Sequence, residues 1–162
     1  MRLLNNHSII ERPGQDELLT IRNDLMTVYR EISDGDDADG RLFPLRYARA
    51  TPRRLPRRRA PGSARTVPDR AQVPLLVIPD GPGMASVLPY DTLRRSLASR
   101  GVDVLMMEHR GVGLSRLDST GADLPVESMR LRNVLGDLVA VVDHARVPQA
   151  AMYGTGYGSY LA

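Results

Sequence analysis

Cysteine is absent from this 162-residue chain, and its absence excludes disulfides, thiolate metal sites and a cysteine nucleophile. Histidine is scarce: His7, His109 and His144 are the three in the sequence, and no metal-ligand spacing relates them. No uninterrupted apolar run reaches about 18 residues, so the sequence predicts no transmembrane helix. The first residues also lack the apolar core of a signal peptide. We therefore expect a cytoplasmic protein that needs no metal or other cofactor and no membrane.

Lysine is also absent, so all 22 basic residues are arginine, and the formal net charge is +3. Six of the arginines lie between Arg53 and Arg65. Such a run attracts phosphates, but it contains no aromatic residue for base stacking, and prolines interrupt it. We interpret residues 52–72 as a solvated loop rich in arginine and proline. No nucleic-acid partner is expected.

The remaining composition is ordinary for a soluble domain, with 42% hydrophobic and 25% charged residues. Between residues 16 and 32 the apolar residues alternate between spacings of three and four, which predicts an amphipathic helix. The residues of this stripe are Leu18, Ile21, Leu25, Val28 and Ile32. An acidic, glycine-containing linker is predicted at residues 33–40, and an early antiparallel strand within residues 41–51.

Strands and helices alternate from residue 73 onward. Short apolar runs at residues 73–78, 102–107 and 150–153 predict strands covered on both faces. A helix ending before Gly101 and a long helix beginning at Pro125 separate them. This alternation predicts an α/β fold in three layers, α/β/α, with a mostly parallel sheet. We divide the chain into residues 1–40 (helix and linker), 41–72 (strand and loop) and 73–162 (α/β unit).

Three loops follow the three predicted strands, at the edge where open α/β sheets place their sites. Their sequences are Pro79-Asp80-Gly81-Pro82-Gly83, Glu108-His109-Arg110-Gly111-Val112-Gly113-Leu114-Ser115 and Gly154-Thr155-Gly156-Tyr157-Gly158. In this order they resemble the H-G-G-P-G, D-Q-R-G-x-G-x-S and G-x-S-x-G motifs of the prolyl-iminopeptidase-like branch of the α/β-hydrolases, which are serine peptidases and esterases. The resemblance spans about residues 73–162.

The resemblance implies a role for each loop. Gly81 and Tyr157 would supply the backbone N–H groups of an oxyanion hole. The third loop is the nucleophile elbow, and Gly156 stands where the family has its serine. A structural role is implied for a further set of residues, namely Gly83, Arg110, Gly111, Gly113, Gly154 and Gly158. Asp80 replaces a family glycine, and its carboxylate would be unhelpful near a developing anion unless it points away.

These residues predict a hydrolase-like protein that is catalytically silent, because the elbow lacks its attacking oxygen. In this fold the acid and the histidine of the triad follow the elbow, so we expect the chain to be an N-terminal part of the unit. The strand before the elbow would then be an exposed apolar edge that favours self-association and a marginally stable monomer. The alternatives are a binding pseudo-hydrolase for a small peptide or ester-like ligand and a remnant without activity. A more remote alternative is a nucleotide-binding Rossmann-like domain, because Gly154, Gly156 and Ser159 half-match G-x-G-x-x-G/A.

Overall fold

Three strands open the chain, and each pairs with the next in antiparallel fashion: β1 (Asn6–Glu11), β2 (Leu18–Glu31) and β3 (Leu42–Leu55). The computed structural model describes residues 6–11, 18–33, 40–55, 73–81 and 83–162. Most of the predicted acidic linker, and the arginine- and proline-rich segment beyond Leu55, lie outside the described residues. The early strand is confirmed, although it extends to Leu55 and so includes the first residues of the predicted loop.

The helix predicted over residues 16–32 is wrong, because β2 occupies this segment. All fourteen residues of β2 pair with β3, and β-branched and aromatic residues such as Thr27, Val28 and Tyr29 favour extended backbone. The two faces of β2 both contribute to the core: Ile21 packs with Ala98 on one side, and Val28 packs with the larger core cluster on the other. A strand buried on both faces loses its alternating pattern, so the spacing resembled that of a helix.

The second half of the chain alternates between strands and helices as predicted. Its elements are β4 (Leu75–Ile78), α1 (Asp91–Ser99), β5 (Val104–Met107), α2 (Leu131–His144), β6 (Ala151–Gly154) and α3 (Tyr157–Leu161). β4 pairs in parallel with both β5 and β6, whereas β3 pairs with β5 in antiparallel fashion. The strand order is β1-β2-β3-β5-β4-β6.

Helices cover both faces of the sheet, which confirms the three-layer α/β class. On one face, Leu97 of α1 packs against Val77, Val104 and Met106. On the other face, Val134 and Leu138 of α2 and Leu161 of α3 belong to the main core cluster. The sheet is mixed, whereas a mostly parallel sheet was expected, because the described part of the hairpin strands β1 to β3 is antiparallel throughout.

The long helix predicted from Pro125 is interrupted. Residues Val126–Met129 form a 3-10 turn, and Arg130 is extended, with φ −60° and ψ 143°, before α2 begins. The carbonyl of Ser128 explains the break, because it accepts hydrogen bonds from Arg110 Nη1 at 3.0 Å and Asn133 Nδ2 at 2.9 Å. This carbonyl therefore turns toward side chains and away from a continuous helical ladder.

The strand β6 is apolar as predicted but it is not covered. Ala151, Met152 and Tyr153 are exposed, and β6 is the last strand in the sheet order. The hydrophobic sequence was correctly interpreted as a strand, but burial requires neighbours on both sides, and within the described residues β6 pairs with β4 alone.

Candidate active site

Gly156 lies in a sharp turn between β6 and α3. Its backbone has φ 51° and ψ −120°, a region that residues with a Cβ atom rarely adopt. The turn lies beyond the carboxyl end of β6, at the same edge of the sheet as the loops that follow β4 and β5. Position 156 therefore has the place and the strained backbone of an elbow apex.

Gly154 and Gly158 allow the elbow strand and its helix to approach closely. A Cβ atom added at Gly154 would lie 2.2 Å from the carbonyl oxygen of Gly158, and one added at Gly158 would lie 2.2 Å from the carbonyl oxygen of Ile78. Both distances are far below any van der Waals contact. The short helix α3 therefore sits directly against the backbone of β4 and β6 because these two positions have no side chain.

The two predicted oxyanion donors, Gly81 and Tyr157, converge on one atom. The N–H of Gly81 donates to Asp80 Oδ1 at 2.7 Å, and the N–H of Tyr157 donates to the same oxygen at 2.9 Å. The Asp80 carboxylate does not point away from the predicted oxyanion hole. It points into the space between the two donors.

These two hydrogen bonds also govern the charge of Asp80. The Tyr157 N–H, followed by the Gly81 N–H, lowers the pKa of the Asp80 carboxyl, and burial opposes the shift only weakly. Hydrogen bonds donated to a carboxylate stabilise its ionised form. Asp80 is exposed, so at neutral pH it places a negative charge at the surface of the elbow.

Glu108 joins the loop after β5 to the loop after β4, a role that the sequence analysis did not assign. Its buried carboxylate accepts hydrogen bonds from the N–H groups of Val87 at 3.2 Å and Leu114 at 3.1 Å, and also from the backbone of Ser86. A Cβ atom added at Gly113 would lie 2.6 Å from this carboxylate. The acidic first position of the second motif was the available signal for this role.

Arg110 lies at the centre of a buried network beneath the site. Its guanidinium donates to both carboxylate oxygens of Asp137 at 2.7 Å and to the carbonyls of Ile32 at 2.8 Å and Ser128 at 3.0 Å. The same group lies 5.0 Å from the centre of the Phe43 ring. It thereby ties β2, the 3-10 turn and α2 to the loop after β5, and it does not face the elbow.

The side chains of His109 and His144 are both engaged away from position 156. The Nε2–H of buried His109 donates to the carbonyl of Pro79 at 3.0 Å, and its ring contacts the edge of the Tyr157 ring. His144 pairs through Nδ1 with the hydroxyl of Tyr47 at 2.9 Å. Ser159 donates its hydroxyl to the carbonyl of Gly156 at 2.6 Å, so it belongs to α3 and not to the apex.

The other predicted structural glycines line an open groove at the same edge of the sheet. The groove has a volume of about 520 Å³, and its walls include Gly83, Gly111 and Gly113 together with Leu124 and Met129. The described residues contain no group of three metal-ligating side chains. In the same part of the chain no helix is both long and apolar enough to span a membrane.

Two solved structures illustrate what this fold is similar to. The epoxide hydrolase VrEH1 from Vigna radiata superposes with a TM-score of 0.53 at 16% identity, over 86% of this chain and 32% of that protein. An epoxide hydrolase mutant from Vigna radiata gives a TM-score of 0.50 at 16% identity, over 85% of this chain and 33% of that protein. No protein-family model and no curated protein sequence matches the chain.

The chain therefore has the α/β-hydrolase fold. It spans about one third of the length of the solved structures named above. Identity this low establishes the fold, whereas activity depends on the residues of the site itself.

Proposed function

We propose that this chain is part of a serine-hydrolase-like protein of the prolyl-iminopeptidase type that is catalytically silent as written. The observation that carries the proposal is the elbow turn at Gly156, with φ 51° and ψ −120°, in which no side chain is present to attack a carbonyl. Loss of the nucleophilic serine in enzymes of this kind lowers turnover by about 10⁶-fold. The contacts of Ser159, His109 and His144 support silence, because each of these side chains is engaged elsewhere.

The test is hydrolysis of amino-acid arylamides and p-nitrophenyl esters by the purified chain. We expect no product above the buffer rate. The matched variant is Gly156→Ser, which we expect to remain inactive because His109 and His144 are hydrogen-bonded to Pro79 and Tyr47. Hydrolysis by the unaltered chain that a serine-directed reagent abolishes would refute the proposal.

A second candidate function is a non-catalytic pseudo-hydrolase that binds a small peptide or ester-like ligand. The convergence of the Gly81 and Tyr157 N–H groups on one carboxylate oxygen favours this candidate, because the same two donors would suit the carbonyl or carboxylate of a ligand. It requires that Asp80 release the two donors so that a ligand from solution can reach them. Titration of the unaltered chain with formate or acetate, followed at the Gly81 and Tyr157 amide signals, distinguishes a binder from a closed site.

A further inference from the structure

We propose that the Asp80 carboxylate is an internal blocking group of the elbow. In this arrangement it fills the space of the missing side chain at position 156 and also takes both hydrogen-bond donors that an external ligand would need. The inference rests on the proposed function, since it assumes that the Gly81 and Tyr157 N–H groups form an oxyanion hole. Asp80 then decides what the elbow can hold, and it excludes anions and acyl groups.

The first argument is steric. A Cβ atom added at Gly156 would lie 2.1 Å from Asp80 Oδ1, 2.4 Å from Cγ and 2.6 Å from Oδ2. The three nearest atoms to that position all belong to one carboxylate, so a serine at position 156 and the observed conformation of Asp80 are mutually exclusive. A serine at position 156 would therefore need the exposed side chain of Asp80 to adopt another conformation.

The second argument is electrostatic. Hydrogen bonds to an ionised acceptor are about twice as strong as those between neutral groups, and Asp80 Oδ1 receives two of them from separate segments of the chain. An external carboxylate or a developing oxyanion would have to displace this oxygen and approach a charge of its own sign. The two hydrogen bonds lower the pKa of the Asp80 carboxyl, so the charge persists further into the acid range.

This arrangement opposes the pseudo-hydrolase function for the unaltered chain. The two donors are already in position, but the group that accepts their hydrogen bonds belongs to the same chain. Because Asp80 immediately precedes Gly81, the effective concentration of its carboxylate at the donors is high. A free carboxylate in millimolar concentration competes poorly with such a group. The elbow is thus closed by the chain's own side chain and not by a lid or a missing loop.

A double-mutant cycle between positions 80 and 156 tests the blocking contact. Gly156→Ser is compared in the unaltered chain and in the Asp80→Gly background, and unfolding is followed in urea. The backbone strain at position 156 is common to both backgrounds, so the difference isolates the clash. We expect the serine to raise the unfolding equilibrium constant roughly tenfold more in the unaltered chain than in the Asp80→Gly background, within the range for side chains in contact.

Asp80→Asn is the matched control, because asparagine keeps the shape and an acceptor oxygen but not the charge. In the Asp80→Asn background the serine should lower the stability against urea as much as it does in the unaltered chain. Additive effects of the substitutions at positions 80 and 156 would overturn the proposal. So would equal relief of the serine penalty by asparagine and by glycine at position 80.

A second measurement remains available if the serine variants do not fold. In the unaltered chain the Asp80 carboxyl carbon and the Gly81 and Tyr157 amide protons should titrate with one midpoint, below the ordinary range of an aspartate. Asp80→Gly should gain a formate-dependent shift of both amide signals that the unaltered chain and Asp80→Asn lack. Three unrelated midpoints, or a formate shift in the unaltered chain, would overturn the blocking role while leaving the hydrolysis test untouched.

Discussion

Arg110→Ala is the substitution from which we expect the largest loss of stability. The side chain of Arg110 and that of its partner Asp137 are almost completely buried, and the guanidinium makes two bonds of 2.7 Å to the carboxylate. Removal of Arg110 leaves the Asp137 charge in the interior with the longer contact of 3.2 Å to Arg30. The carbonyls of Ile32 and Ser128 lose a donor as well.

The expected magnitude follows from the burial of the charge that remains. Breaking a buried ion pair by removing one partner costs about 3–5 kcal/mol, and a chain of this size loses about 2–4 °C in Tm for each kcal/mol. We therefore expect Arg110→Ala to lower Tm by roughly 10 °C or to prevent folding. Thermal denaturation followed by circular dichroism, at one protein concentration for all variants, measures the change.

Arg116→Ala is the matched control, because it removes the same charge from an exposed pair. The side chains of Arg116 and Asp123 are each 63% exposed, and a surface pair contributes at most about 1 kcal/mol. The double variant Arg110→Met, Asp137→Leu should lose less stability than Arg110→Ala, because it removes both buried charges. Equal effects of Arg110→Ala and Arg116→Ala would refute the structural role of Arg110.

Two further predictions concern the acid range and the sheet edge. Asp118 accepts hydrogen bonds from the Thr120 hydroxyl and from backbone N–H groups. These bonds lower the pKa of its carboxyl, and the bond from the hydroxyl contributes most. The stability it contributes is present above the unfolded pKa of about 3.9 and is lost as the pH falls through the lower folded value. Unfolding midpoints of the unaltered chain and Asp118→Asn should therefore converge in acid; a constant difference from pH 7 to pH 2 would contradict this. We also expect the chain to self-associate through β6, where Met152 is 48% exposed and Tyr153 is 55% exposed, because an apolar edge strand without charge or proline favours pairing. Met152→Lys should reduce the associated fraction in sedimentation equilibrium, whereas Val139→Lys on an exposed helix face should not, and a monomer at all concentrations would refute the edge contact.

The fold of the α/β unit was predictable because its signals are local. Continuous apolar runs and glycine-containing turns define β4, β5 and β6, and the structure places all three as parallel neighbours. The N-terminal segment was not predictable in the same way. The strand β2 is stabilised by its fourteen-residue pairing with β3, and this long-range contact has no counterpart in the spacing of its own residues.

The buried network around Arg110 was also predictable from the sequence only in part. The second motif indicated that Arg110 has a structural role, and the side chain is indeed buried. Its partner Asp137 is one of two acidic residues in α2, and nothing in the sequence of this amphipathic helix indicates that Asp137 is fully buried. A contact between two sequence-distant side chains depends on how the elements pack, so no pattern within either element predicts it.

Two of the departures from the hydrolase motifs are distant in sequence and adjacent in space. Asp80 stands where those motifs have glycine, and Gly156 stands where they have serine. Read separately, the first adds an unhelpful charge and the second removes a nucleophile. In the structure the added carboxylate lies 2.1 Å from the place of the absent Cβ atom, and it accepts the hydrogen bonds of both predicted oxyanion donors. The Asp80 carboxylate occupies the volume that a side chain at position 156 would fill, and it accepts hydrogen bonds from both donors, so the two departures are compatible with each other in one structure. Because a serine at position 156 would need Asp80 to move, we expect a substitution at either position to change what the other position tolerates.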